Sequence, residues 1–123
     1  MRRDIPLTDP SLEAEITSTN HGNGVVTTGL LFTCPICLEA NDGRREGVHS
    51  HLIPFEPHGK GRKERGVLLW DNPSGSTLAD LTLAPSYLCR APQVDEHGVA
   101  CGCRFHCFIR KGVMQVLSDS KKM

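Results

Sequence analysis

Apolar and polar positions alternate along most of the patterned stretches of this chain. In SLEAEIT (11 to 17), Leu12, Ala14 and Ile16 stand against Glu13, Glu15 and Thr17. A period of two predicts a half-buried strand. The turn-forming run NHGNG follows, then VVTTGLLFT (25 to 33), so residues 11 to 33 are expected to form a hairpin. In VHSHLIP (48 to 54), His49, His51 and Ile53 share one face of a short strand, and Val48, Ser50 and Leu52 share the other. VLLWD (67 to 71) reads as a strand and NPSGS as a turn. LADLTLAPSYLC (78 to 89) reads as one or two strands interrupted at Pro85, whose nitrogen cannot donate to a central ladder.

The clearest hairpin comes last. FHCFI and VMQVL flank Arg110, Lys111 and Gly112, a three-residue connection with glycine where a left-handed conformation is needed. No window longer than a turn or two carries a helical period, and neither an internal repeat nor a low-complexity tract is present. The expected fold is mainly β: a small single domain of residues 1 to 123, built of short antiparallel strands and hairpins. Its N-terminal hairpin spans about residues 11 to 33 and a knuckle-bearing β core about 34 to 120. Trp70, Leu68, Leu81, Leu83, Phe105, Ile109 and Val116 are the expected core.

Composition adds a need for cross-linking. A chain of 123 residues buries about two-thirds of its unfolded surface in one modest core. Aromatics make up 5%, and twelve glycines with eight prolines favour turns over long elements, so a staple is expected. Fourteen basic residues balance fourteen acidic ones, which leaves no global field to attract nucleic acid or membrane. The start, MRRDIPLTDP, has no apolar run after its charges, and no segment approaches the roughly 18 apolar residues of a membrane span. The expectation is a cytoplasmic protein with no membrane contact. In that reducing compartment the six cysteines favour a metal over disulfides.

The cysteines supply a candidate metal site. Cys34-Pro35-Ile36-Cys37 is a C-x2-C at a strand end, the spacing at which two thiolates converge on one tetrahedral ion. Cys103-Arg104-Phe105-His106 offers a C-x2-H knuckle before the last hairpin. Cys34, Cys37, Cys103 and His106 are therefore the expected ligands of one structural zinc per chain, with Cys101 and Cys107 as substitutes for Cys103. Cys89, Cys101 and Cys107 otherwise read as small buried hydrophobes. A thiolate-rich shell of four closes the ion and leaves no open position for catalysis, and no catalytic residue is assigned.

These residues also carry a resemblance. CPIC (34 to 37), LLW (68 to 70), TLADLTLAPSYLC (77 to 89) and CRFHCFIRKGV (103 to 113) resemble, in order and combination, a family of small zinc-ribbon-like proteins of unknown function carried by phages and bacteria. Some of its members are mislabelled ammonia monooxygenase. By position, Cys34 and Cys37 match the first knuckle, Trp70 the family's tryptophan, Thr82, Pro85 and Ser86 its TLxPS run, and Cys103, His106, Ile109, Arg110 and Gly112 its final hairpin. The resemblance covers about residues 30 to 120 and implies a phage or defence setting, which for a phage-encoded protein means the host cytoplasm. It implies no reaction. The chain departs from the pattern at its end, where DSKKM places Lys122 at the position of a histidine found in some phage members.

Two further readings follow from local patterns. His49 and His51, followed by Leu52-Ile53-Pro54, are similar to the DHIxP run of HNH nucleases, in which a histidine base activates water beside a divalent ion. Ser50 stands where that motif has aspartate, and the rest of the motif is missing. The glycine-flanked loop HGKGRKERG (58 to 66) gathers Lys60, Arg62, Lys63 and Arg65, which can drape on phosphates without reading sequence. His21, His58 and His97 lie in expected loops and carry no assigned role. Ser86 lacks a Gly-x-Ser-x-Gly elbow and reads as a strand-end hydroxyl. The functional expectation is a non-enzymatic interaction protein that uses zinc for shape and a surface for a protein or nucleic-acid partner. The alternative is a metal-dependent hydrolase or HNH-like nuclease using His49 and His51.

Overall fold

The computed structural model describes residues 3–20, 26–44, 48–56, 63–64, 67–68, 70–89 and 103–122. The described chain is mainly β, as its alternation predicts. In order, it forms β1 (Arg3–Pro6), a 3-10 turn (Pro10–Leu12), β2 (Glu15–Asn20), β3 (Val26–Thr33), the short helix α1 (Pro35–Ala40), β4 (Ser50–Glu56), β5 (Lys63–Glu64), β6 (Val67–Leu68), β7 (Asp71–Ser74), β8 (Thr82–Cys89), β9 (Cys103–Arg110), β10 (Val113–Val116) and β11 (Lys121–Lys122). One sheet has the order β1-β10-β9-β8-β7, with β11 pairing to β9. A second has the order β2-β3-β4, and β5 pairs with β6 alone. Every pairing is antiparallel.

Alternation is cleanest on β9, where Cys103, Phe105, Cys107 and Ile109 are buried while Arg104, His106 and Phe108 are half-buried and Arg110 is exposed. Met114 and Val116 of β10 and Ile5 of β1 continue the buried face. The second sheet contributes Leu30, Phe32, Ile53 and Phe55 to the same core cluster. Phe105 joins the two sheets, its ring 5.8 Å from that of Phe32 and stacked 4.8 Å from that of His51. Among the expected core residues, Leu81, Leu83, Phe105, Ile109 and Val116 are buried and Trp70 packs half-buried against the cluster. The side chain of Leu68 lies outside the described residues.

Several boundaries differ from expectation, each for a local reason. The first hairpin forms, but its leading strand begins at Glu15 rather than Ser11. Asp9 caps the 3-10 turn by accepting from Ser11 N, Pro10 sits where no N–H is needed, and Leu12 is buried beneath. Asn72, Pro73 and Ser74 are strand rather than turn. The reversal comes after them, where the Asp80 carboxylate accepts from Ser76 N, Thr77 N and Thr77 Oγ1. β8 runs continuously through Pro85, but its register against β9 shifts between Leu83 and Tyr87, a bulge that accommodates the missing N–H.

The last hairpin closes through only Lys111 and Gly112, both at positive φ (48° and 76°), with Arg110 paired to Val113. This two-residue turn with both φ positive matches the twist of its strands. A Cβ on Gly112 would collide with the carbonyl groups of Ala79 and Leu78.

Candidate metal centre

Cys34 ends the β3 segment and caps α1, its backbone N–H donating to the carbonyl of His49 (3.0 Å) and its carbonyl accepting from Leu38 N (3.0 Å). Pro35 at the first helical position lacks the N–H that a helix start leaves unused. β4 pairs with β3, so Phe32 and Thr33 lie beside His51 and Ser50. His49 leads into that strand. With side chains alternating, His49, His51 and Ile53 all face the core. Cys103 opens β9 on the opposite sheet.

These elements bring Cys34, His49, His51 and Cys103 together. One donor atom from each lies within 4.8 Å of every other, and all four residues are buried. The two sulfurs are 3.8 Å apart, Cys103 Sγ lies 3.7 Å from His49 Nε2, and the Nε2 atoms of His49 and His51 are 3.1 Å apart. This Cys2His2 group can hold a metal ion.

The surroundings orient the donors. His51 Nδ1 lies 3.0 Å from the Tyr87 hydroxyl. With Nε2 committed to the cluster, Nδ1 carries the proton and donates to that oxygen, an arrangement that fixes the ring of a ligating histidine. His49 Nδ1 is buried with no hydrogen-bond partner among the described residues. Burial, and then the charge of His49, pushes the pKa of His51 down to about 3, which keeps it neutral as a ligand must be. Hydrogen bonds with Cys103 and Cys37, reinforced by burial, drive the Cys34 thiol far above its ordinary value. Without a cation that sulfur keeps its proton; a coordinated dication reverses the preference.

Cys34 and Cys103, one from each expected knuckle, stand in the cluster, and Cys37 lies beside it, 2% exposed and in contact with Cys34. His106 does not join them. The expected turn from Cys103 to His106 is not formed, because those residues are the start of β9, and on a strand residues three apart point to opposite faces. His106 instead places Nε2 3.0 Å from Ser86 Oγ and Nδ1 3.2 Å from both carboxylate oxygens of Asp119. His49 and His51, noted in the sequence as a catalytic pair, sit where the second knuckle was expected. Their shared face was legible, but not its proximity to Cys34 and Cys103. Were they to hold an ion, their Nε2 lone pairs would be committed to it rather than free to activate water.

The remaining candidates separate similarly. Cys107 is fully buried, and burial pushes its thiol up to about 12, the behaviour of a small hydrophobe. Cys101, Lys60, Arg62 and Arg65 lie outside the described residues, and of Lys63 only the backbone, in β5, is described. Comparison with protein-family models, curated proteins and solved structures finds no match. No helix among the described residues is long and apolar enough to cross a membrane.

Proposed function

We propose that this chain is a zinc-binding β protein in which one structural zinc, held by Cys34, His49, His51 and Cys103, ties the two sheets together, and that it works as an interaction protein through its surface. The donor geometry supports the zinc part of this reading. Tetrahedral zinc with bonds of about 2.3 Å to sulfur and about 2.0–2.1 Å to nitrogen has edges of about 3.8 Å between sulfurs, about 3.6 Å between sulfur and nitrogen, and about 3.3 Å between nitrogens. The corresponding distances here are 3.8, 3.7 and 3.1 Å. Two thiolates neutralise the dication, which lowers the cost of burying it, and a sulfur-imidazole donor set favours zinc over calcium or magnesium.

A structural role agrees with the burial. The four residues are between 0 and 4% exposed, and four protein donors complete the shell with no position for a substrate. Partners and substrates must then meet the protein elsewhere.

The test is metal content by mass spectrometry on protein purified without added metal, in the native chain and two histidine variants. One zinc per chain is expected in the native protein and in His106→Ala, and substoichiometric zinc in His51→Ala. A folded native protein free of zinc sinks the proposal. So does a His106→Ala variant that loses the metal while His51→Ala keeps it, since that restores the ligand set expected from spacing.

A further inference from the structure

The residue excluded from the metal cluster sits in a second constellation, on the outer face of the larger sheet. His106 Nδ1 is 3.2 Å from the Asp119 carboxylate, and its Nε2 is 3.0 Å from Ser86 Oγ. A carboxylate only accepts hydrogen bonds, so the imidazole proton belongs on Nδ1. In the neutral ring that leaves the Nε2 lone pair facing Ser86, whose hydroxyl must donate. This is the hydrogen-bond order of a serine nucleophile, a histidine base and an orienting carboxylate.

The fold supplies the parts from different elements. Ser86 lies in the β8 bulge, between Leu83, paired with Ile109, and Tyr87, paired with Cys107. Such bulges re-aim side chains. His106 is on β9, and Asp119 lies in the turn before β11. That turn is fastened by Ser120, whose Oγ accepts from His106 N (2.9 Å) and donates to its carbonyl (3.0 Å). Ser86 is half-buried and the His106 side chain is 21% exposed, so neither is sealed inside the core.

We propose that Ser86, His106 and Asp119 form an acyl-transfer site, with Ser86 as nucleophile, His106 as general base and Asp119 as positioning residue, acting on small activated acyl compounds, namely thioesters and aryl esters. Ser86 Oγ bonds to the acyl carbon as its proton passes to His106 Nε2. The bond from that carbon to the leaving sulfur or oxygen then breaks, and the leaving group takes the proton from Nε2. Water reverses the sequence: it gives a proton to Nε2, its oxygen bonds to the acyl carbon, and Ser86 leaves with that proton. The products are a carboxylic acid and a thiol or phenol. Activated substrates are favoured because Arg104 shares the carboxylate, with Nη2 at 2.9 Å and Nε at 3.3 Å, and Asp119 is 44% exposed. Both weaken its influence on the imidazole, too little remaining to expel an amine. The Phe108 ring, 6.4 Å from that of His106, gives the site an aromatic border for the leaving group, and the Trp70 indole N–H, donating to the Ser86 carbonyl, holds the backbone of the bulge.

The experiment treats the full, metal-replete chain with an alkyl fluorophosphonate and follows intact mass. The expected result is one adduct per chain, mapped to Ser86, with fluoride lost. Ser86→Ala gives none while keeping its thermal melt and metal content. Asp119→Asn slows labelling about 10²-fold or more with the adduct still on Ser86, because the amide no longer enforces the Nδ1–H tautomer. A folded native chain that stays unmodified overturns the proposal whatever the variants do. An adduct on another residue, or Asp119→Asn labelled as fast as the native protein, overturns it too.

Discussion

His49 and His51, separated by one residue, present the same ring nitrogen to the same point, their Nε2 atoms 3.1 Å apart and their rings edge to face at 85°. Two neutral imidazoles can share that distance only if one donates, and two protonated ones repel. A cation between them and the facing sulfurs of Cys34 and Cys103 satisfies both lone pairs at once.

The hydroxyl of Tyr87 completes this arrangement from the opposite sheet, 3.0 Å from His51 Nδ1. Tyr87→Phe should keep the ring packing against Phe105 and Trp70 and remove only the acceptor. Zinc affinity is expected to fall about 10- to 100-fold with the fold intact. Competition with a chromogenic chelator, alongside circular dichroism, measures both; unchanged affinity would remove Tyr87 from the metal's support.

Cys37 stands beside the cluster but outside the group of four. Cys37→Ser should retain one metal per chain, whereas Cys103→Ser, which leaves three donors, should lose it and unfold on gentle heating because binding and folding are coupled. Metal content and a thermal melt of the two variants decide between this ligand set and one that includes Cys37.

Asp119 is held below its ordinary value of 3.8, first by the hydrogen bond from Arg104 and then by His106. Its folded pKa lies below the unfolded one, so what it contributes is fully present above about pH 4 and is lost as pH falls through the lower, folded value. Protonation of Asp119 should therefore loosen the docking of the turn before β11 only in acid below about pH 4. The Asp119 carboxyl shift, followed by NMR, should titrate with a midpoint below 3.8; a midpoint above it would mean the contacts with Arg104 and His106 do not persist in solution.

Gly112 has φ of 76°, and its N–H donates to Leu81 O (2.9 Å) while its carbonyl accepts from Leu7 N (2.8 Å). Gly112→Ala would strain the backbone and push into the carbonyl of Ala79. A loss of about 1–3 kcal/mol is expected, read from urea unfolding. Lys111→Ala, on the exposed side of the same turn, provides the comparison and should cost less.

Much of the architecture was legible because strand alternation is a local property. The period-two run at 105 to 116 placed Phe105, Ile109 and Val116 inside, where they are, and the run at 48 to 54 put His49, His51 and Ile53 on one face without saying that this face is the buried one. The shifted start of β2 was not, since the 3-10 turn at Pro10–Leu12 preserves the apolar spacing of Leu12 that the strand reading used. α1 was too short to show a helical period, although Pro35 after a strand end was its signal.

The same residues divide what each level determined. Alternation and turn chemistry by themselves established a mainly β chain with antiparallel hairpins, and cysteine spacing established that Cys34 and Cys103 were candidates for a metal. They could not choose the other ligands, because spacing along the chain implies proximity only where the backbone turns. Over Cys103–His106 it stays extended, so the histidine three residues on faces away, toward Ser86 and Asp119. Only the packing of the β2-β3-β4 sheet against β9, through Phe32, His51 and Phe105, decided that His49 and His51 would meet the two sulfurs.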